Sequence, residues 1–223
     1  MRIRSFIIAY ALVLVLAILL FADRRPASTP QDRYSHVVDL TDGQNATAPY
    51  SAATESRTRI IAPGALIPGT WAAGQIPPER LVAPLVVMDL NATDGSSQIS
   101  LDDISAWEAR HGMIPQGAVV AIRRARASAA VSDDLSTAPL PMARDAAMFL
   151  IDARYTIGFV VETPVDLTSD RTLSRQLALH GDYVVEGAAR FASLPETGSL
   201  IIVAPAKNKK PGEAPVRILA MVR

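Results

Sequence analysis

Hydrophobic positions follow two different rhythms along this chain. Residues 6–22, FIIAYALVLVLAILLFA, form an unbroken apolar run of seventeen residues. At ~1.5 Å per residue the run reaches roughly 26 Å, just enough to cross a thin hydrocarbon core. Past it the apolar runs are short and separated by Gly, Pro and polar residues, the rhythm of strands and turns. Strands are predicted in HVVDLTD (36–42), SRTRII (56–61), LVAPLVVMDL (81–90), GAVVAIRR (117–124) and TIGFVVET (156–163), and again in DYVVEGA (182–188), GSLIIVAP (198–205) and VRILAMV (216–222). The run at 81–90 is nearly continuous, so that strand is expected to be buried on both faces.

Helices are fewer. In SLDDISAWEARHG (100–112) Ser100 is an expected N-cap, Asp102 and Asp103 suit the first turn, and Gly112 is a stop signal. Ile104, Trp107 and His111 recur at helical spacing. ARDAAMFLIDAR (143–154) and SRQLALHG (174–181) read as two further helices. Residues 43–54 and 125–141 read as loops, and AKNKKPGE (206–213) as a charged, solvated hairpin loop. Strands outnumber helices and alternate with them irregularly. The predicted fold class is a mixed α/β domain on a sheet or barrel-like core with flanking helices.

The predicted domain plan has three parts: a membrane anchor or signal segment at 1–26, a polar, proline-bearing linker at 27–35, and a folded domain at 36–223. Arg2 and Arg4 keep the N-terminal flank cytoplasmic, which places the domain outside the membrane as a single-pass protein. A cleaved signal is the competing reading, with Ala22 at the cut but Leu20 poorly suited to the third position before it. Secretion would follow cleavage.

Composition narrows the chemistry. The formal net charge is zero, so no nucleic-acid partner is expected. There is no cysteine, which excludes disulfides, thiol nucleophiles and thiolate metal sites. The three histidines, His36, His111 and His180, are too few for a histidine-rich centre. His111 suits a helix C-terminus, and His36 and His180 suit structural positions. The adjacent acidic pairs 102–103 and 133–134 cannot face each other, so neither is an acid/base couple. RRAR (123–126) reads as a solvated strand end. Asn45 and Asn91 open sequons that matter only in a eukaryote. No nucleophile elbow, P-loop or dinucleotide glycine fingerprint is present.

Several stretches together resemble the cyclase family of metal-dependent hydrolases, which includes bacterial kynurenine formamidase. They are HVVDLTD, IPGTWAAGQIPPERLVAPLVVMDL, ISLDDISAWEARHGMIPQGAVVAI, IGFVVET, LSRQLALHGDYVVEGAARFASLPETGSLIIVAPAK and APVRILAMV. The resemblance spans about 36–222. It implies a barrel-like α/β fold, usually dimeric or larger, with a homo-oligomer and a small-molecule ligand as expected partners. Active relatives use zinc or manganese held by the motif HxGTHxDxPxH, a distal His, and a Glu twelve residues after that His. Such a metal lowers the pKa of a bound water, which attacks a formamide or ester carbonyl.

Laid on this sequence, the first His of the motif falls on Glu55 and the Gly on Arg57. Thr58 is kept. The second His falls on Arg59 and the Asp on Ile61, Pro63 is kept, and the last His falls on Ala65. The distal His falls on Ser174, and the Glu is kept as Glu186. Glu186, with Glu55, is the only ligand left should a metal be retained. A guanidinium ~4 Å from a divalent cation repels it by on the order of 8 kcal/mol at an effective permittivity of ~20. Arg59 cannot deprotonate to relieve that conflict. The loops 43–54 and 125–141, which help wall the pocket in relatives, also look short. The resemblance therefore implies a degenerate, non-catalytic, membrane-tethered homologue (a pseudoenzyme) with a small-molecule-binding or structural role and no cofactor. Arg57 or Arg59 is expected to occupy the old metal position and pair with Glu186 or Glu55. An active arylformamidase-type hydrolase, cleaving N-formylkynurenine in tryptophan catabolism, is the first competitor. A structural envelope protein is the second.

Overall fold

The computed structural model describes residues 34–42, 58–90, 99–124, 142–162, 171–207 and 212–223. The expected membrane segment 6–22 and most of the linker lie outside them. So do the loops 43–54 and 125–141, Glu55, Arg57 and both sequons. Among the described residues no helix is long and apolar enough to cross a membrane. His36–Arg223 form one compact unit.

Every predicted strand has a counterpart: β1 (His36–Asp39), β2 (Arg59–Ile61), β3 (Val82–Leu90), β4 (Val119–Arg124), β5 (Gly158–Val161), β6 (Tyr183–Glu186), β7 (Ser199–Pro205) and β8 (Glu213–Val222). They form one sheet in the order β1-β8-β2-β6-β5-β4-β3-β7, and β7 also pairs with β8. That last pairing closes seven strands into a barrel. β1 continues the edge of β8 that β2 begins, with Asp39 opposite Leu219 and Arg59 opposite Pro215. β3, β4, β5 and β6 are mutually parallel. Parallel neighbours need long crossovers, and the chain supplies a helix in each: α1 (Leu101–His111), α2 (Arg144–Met148) and α3 (Arg171–Leu179).

Alternation along the strands splits the apolar residues into two cores. Leu85, Val87, Val119, Val160, Val185 and Ile218 fill the barrel with residues from both its parallel and antiparallel arcs. Val86, Val120, Phe159 and Val184 point the other way, to Ile104, Trp107, Leu150 and Leu177 of the helical layer. β3 is thus buried on both faces, as its apolar run predicts. Inside the barrel Tyr183 is fully buried. A Cβ on Gly158 would come within 2.6 Å of its ring. The ring cannot retreat, because its hydroxyl donates to the Arg80 carbonyl at 2.9 Å. Gly158→Ala is expected to cost about 1–3 kcal/mol by overpacking. A thermal melt of the variant that matches wild type would show that the ring yields.

The helix ends follow local chemistry. The Ser100 hydroxyl accepts the Asp103 amide at 3.2 Å, and the Asp103 carboxylate accepts the Ser100 amide at 2.9 Å, a reciprocal cap. Gly112 leaves α1 at φ +89°. The second helix differs from the single element predicted at 143–154. It is α-helical only to Met148 and continues as a π turn over Phe149–Ala153. The wider turn buries both Leu150 and Ile151 against the sheet. Arg154 at its end makes two hydrogen bonds to Glu108 of α1, at 2.7 and 2.8 Å. Three 3-10 turns without a periodic signal in the sequence, at Pro63–Ala65, Ala73–Gln75 and Pro78–Arg80, lie in the strap between β2 and β3.

Candidate functional site

The candidate site lies at the carboxyl end of β6, one of the four parallel strands. Glu186 is the last residue of β6, and the antiparallel β2 sets Arg59 directly opposite it. Strand alternation sends Ile60 into the barrel and Arg59 to the outer face, beside Glu186. Arg59 Nη2 lies 3.1 Å from Glu186 Oε2, and Nε donates to the same oxygen at 3.2 Å. Arg59 Nε also lies 3.2 Å from Glu213 Oε2 at the start of β8. The burial is graded: the Glu186 side chain is 1 % exposed, Arg59 43 % and Glu213 51 %.

Thr58 secures this end of β2. Fully buried, its hydroxyl donates to the Gly187 carbonyl at 2.7 Å and accepts the Asp42 amide at 2.7 Å. Thr58 thus ties β2, the end of β6 and the chain after β1 together. Ile61, on the face of Arg59, is buried opposite Val184. Pro63–Ala65 form a 3-10 turn against which α3 packs. The Gly64 amide donates to the Trp71 carbonyl at 2.7 Å, and a Cβ on Gly64 would meet that oxygen at 2.8 Å. Ser174 is buried on α3.

The structure therefore brings Arg59 and Glu186 into contact, and it places the helix carrying Ser174 against the turn carrying Pro63 and Ala65. Glu55 and Arg57 lie outside the described residues. Glu213 was not foreseen. It sits in PGEAP with no spacing signal, and only the pairing of β8 with β2 carries it to Arg59. The remaining histidines stand elsewhere. His111 stacks on Trp107 at 4.9 Å, and His180 Nε2 is 4.0 Å from Asp152. In the basic run, Arg123 donates to the Phe191 carbonyl at 2.9 Å rather than simply meeting solvent.

Among the described residues no three His, Cys, Asp or Glu side chains gather as a metal would require. Glu186 Oε2 already accepts the Arg59 Nε–H at 3.2 Å and lies 3.1 Å from Nη2. A metal ion on that oxygen would sit roughly 2 Å from it, hence within about 5 Å of Arg59 Nη2. The described residues do not fit a divalent cation.

A second polar cluster occupies the other end of β6, and the sequence offered no pattern that finds it. Arg80 Nη2 lies 3.0 Å from Asp182 Oδ1 and 3.0 Å from the Gly181 carbonyl. Its guanidinium lies 5.5 Å from the centre of the Trp71 ring. Burial pushes the Asp182 carboxyl up to about 7, outweighing the opposing pull of Arg80. Burial likewise raises the Tyr183 phenol above its usual range.

The Cyclase family model matches residues 21–165, ending before Ser174 and Glu186. The fold is similar to isatin hydrolase A from Ralstonia solanacearum, 25% identical, covering 95% of this chain and 97% of that one at a TM-score of 0.64. It is also similar to isatin hydrolase A from Labrenzia aggregata bound to benzyl benzoate, 24% identical, covering 84% and 93% at 0.64. A potential metal-dependent hydrolase with cyclase activity, 23% identical, covers 84% and 98% at 0.60. No curated protein matches the sequence.

Proposed function

The chain belongs to the Cyclase family, and from that premise we propose that it is a non-hydrolytic member, tethered to the cytoplasmic membrane by residues 6–22 with its domain outside. In this reading the Arg59 guanidinium stands where active relatives hold a metal ion, and the site serves small-molecule binding or a structural role. One observation carries the reading: Glu186 Oε2, the surviving ligand atom, is taken by Arg59 at 3.1 Å. In this reading a guanidinium supplies the positive charge, but it cannot polarise a water as a Lewis acid does.

The hydrolase reading has its own support, the likeness to isatin hydrolase A over 95% of the chain. It requires a donor set beyond the described residues, or ligands from a second copy. One experiment separates the two. The full chain is purified in detergent, its zinc and manganese are counted, and hydrolysis of isatin and N-formylkynurenine is assayed with each metal added. The expected result is metal far below one ion per chain and no turnover. Stoichiometric metal with turnover would overturn the proposal. Loss of the protein from the membrane fraction on alkaline carbonate washing would refute the tether.

A further inference from the structure

We propose that the uncovered outer face of β1, β8, β7 and the start of β3 rests on an anionic lipid surface, that of the membrane holding the chain. The inference rests on the reading that residues 6–22 are a membrane tether, and it adds the domain face that meets the lipid.

The sheet is layered unevenly. Helices cover the outer face of β3 from Val86 onward and of β4, β5 and β6. Among the described residues the outer core holds none from β1, β7 or β8. The outward positions of those strands are nevertheless apolar. Ile201 and Ala220 belong to the barrel core, so alternation turns their neighbours outward. Register aligns these neighbours in two cross-strand rows. One holds Val37, Met221, Leu200 and Pro84, the next Asp39, Leu219, Ile202 and Val82. Val37 is 58 % and Val82 50 % exposed, and the other apolar members are only partly covered. A contiguous apolar face of this kind marks a contact with protein or with membrane.

Two observations favour lipid. The first is reach. Thirteen residues, 23–35, separate the apolar run from β1. Fully extended they span at most about 45 Å, so a tethered domain stays beside the bilayer. The strand they lead into carries Val37, the most exposed apolar member of the face. The second is charge. Along the outer side of β8, Arg217 and Arg223 bracket Leu219 and Met221, and both are exposed. His36 and Lys207, at the ends of β1 and β7, are exposed as well. Asp39, the one acidic residue in the two rows, is held by Arg217 at 3.0 Å. Glu213, farther along β8, is engaged with Arg59. A second copy docked about a two-fold axis would bring the same basic edge to this perimeter twice. Anionic headgroups complement it, and interfacial binding combines buried apolar area with that attraction.

The chain has no cysteine, so Ile202→Cys, Leu219→Cys and, on the exposed side of α1, Ser105→Cys each carry a single nitroxide label. The full chain is reconstituted into vesicles of phosphatidylcholine and phosphatidylglycerol in equal parts, and into phosphatidylcholine alone. Collisions of each label with oxygen, which concentrates in lipid, are compared with those of a water-soluble nickel chelate. In the mixed vesicles the labels at 202 and 219 should lose most of the nickel collisions that the Ser105 label keeps, and should keep their oxygen collisions. In phosphatidylcholine alone nickel access should return in part. Three results overturn the inference: labels as open to nickel as that at Ser105, shielding from both reagents with dipolar broadening between copies, or equal shielding in the two lipids. Either label decides if the other variant does not fold. Release of the chain from the vesicles by alkaline carbonate sinks the tether reading, whereas a retained chain with nickel-open labels sinks only this inference.

Discussion

Replacing Arg80 by methionine is expected to destabilise the protein by about 3–5 kcal/mol at pH 8, and by markedly less at pH 5. The Asp182 side chain is 1 % exposed and its Oδ1 lies 3.0 Å from Arg80 Nη2. Its other oxygen, Oδ2, is buried with no hydrogen-bond partner among the described residues. Removing the guanidinium strands a charge in a low-dielectric setting, which proteins tolerate poorly. Methionine keeps much of the side-chain volume against Trp71, so the loss is electrostatic rather than a cavity.

The sign of the pH effect follows from Asp182. Burial raises its folded-state value to about 7, above the ordinary 3.8 of an unfolded aspartate. A raised group contributes stability that is complete below the unfolded value and is lost as pH climbs through the folded one. The wild-type contribution of Asp182 therefore declines between about pH 4 and pH 7. Without Arg80 the carboxyl rises further, so at pH 5 the variant holds a neutral acid and is spared most of the cost. Urea unfolding at both pH values reads this directly. An equal loss at pH 5 and pH 8 would mean that Asp182 does not titrate in this window. The strap to which Arg80 belongs also carries Trp71, whose carbonyl holds Gly64 of the site turn. Loosening it should therefore be felt at the candidate site.

Trp107→Ala is the second large effect, with an expected cost of about 3–5 kcal/mol. Trp107 is 1 % exposed and is among the largest fully buried side chains of the domain. It pins α1 to the sheet twice over. Its ring fills the outer core with Ile104, Met88 and Val120, and its indole N–H donates to the Val87 carbonyl at 3.2 Å. Alanine leaves a cavity that the surrounding β3 and β4 residues cannot collapse into, since they are held by the barrel ladder. Trp107→Phe should recover most of the packing and none of the hydrogen bond, costing about 1–2 kcal/mol. Chemical denaturation of both variants tests the split. An alanine variant within 1 kcal/mol of wild type would show that α1 is not a stability element.

Much of the fold was legible because its signals are local. Ser100, Asp103 and Gly112 bound α1 through contacts a few residues apart. The short apolar runs of β7 and β8, bounded by Gly and Pro, marked strands whose residues alternate between buried and more exposed environments. Where a local signal misled, a tertiary demand had intervened. The helix predicted through 154 widens into a π turn that buries both Leu150 and Ile151 and delivers Arg154 to Glu108. The site was partly legible, and by a different route. The resemblance to the family marked Arg59 and Glu186 as sharing one site although they stand 127 residues apart. Nothing comparable marked Glu213 or the pair Arg80 and Asp182.

The sequence by itself determined which segments become strands and helices, properties that reside in residue types and short spacings. The expectation of lost metal ligands came instead from the resemblance to the family. Tertiary structure alone decided that β7 and β8 close the barrel, that Glu213 joins Glu186 on Arg59, and that Asp182 is buried beside Arg80. Each of these depends on strand pairing or packing across long stretches of chain. Its energy comes from burial and register over many residues at once, so no short window of residues contains it.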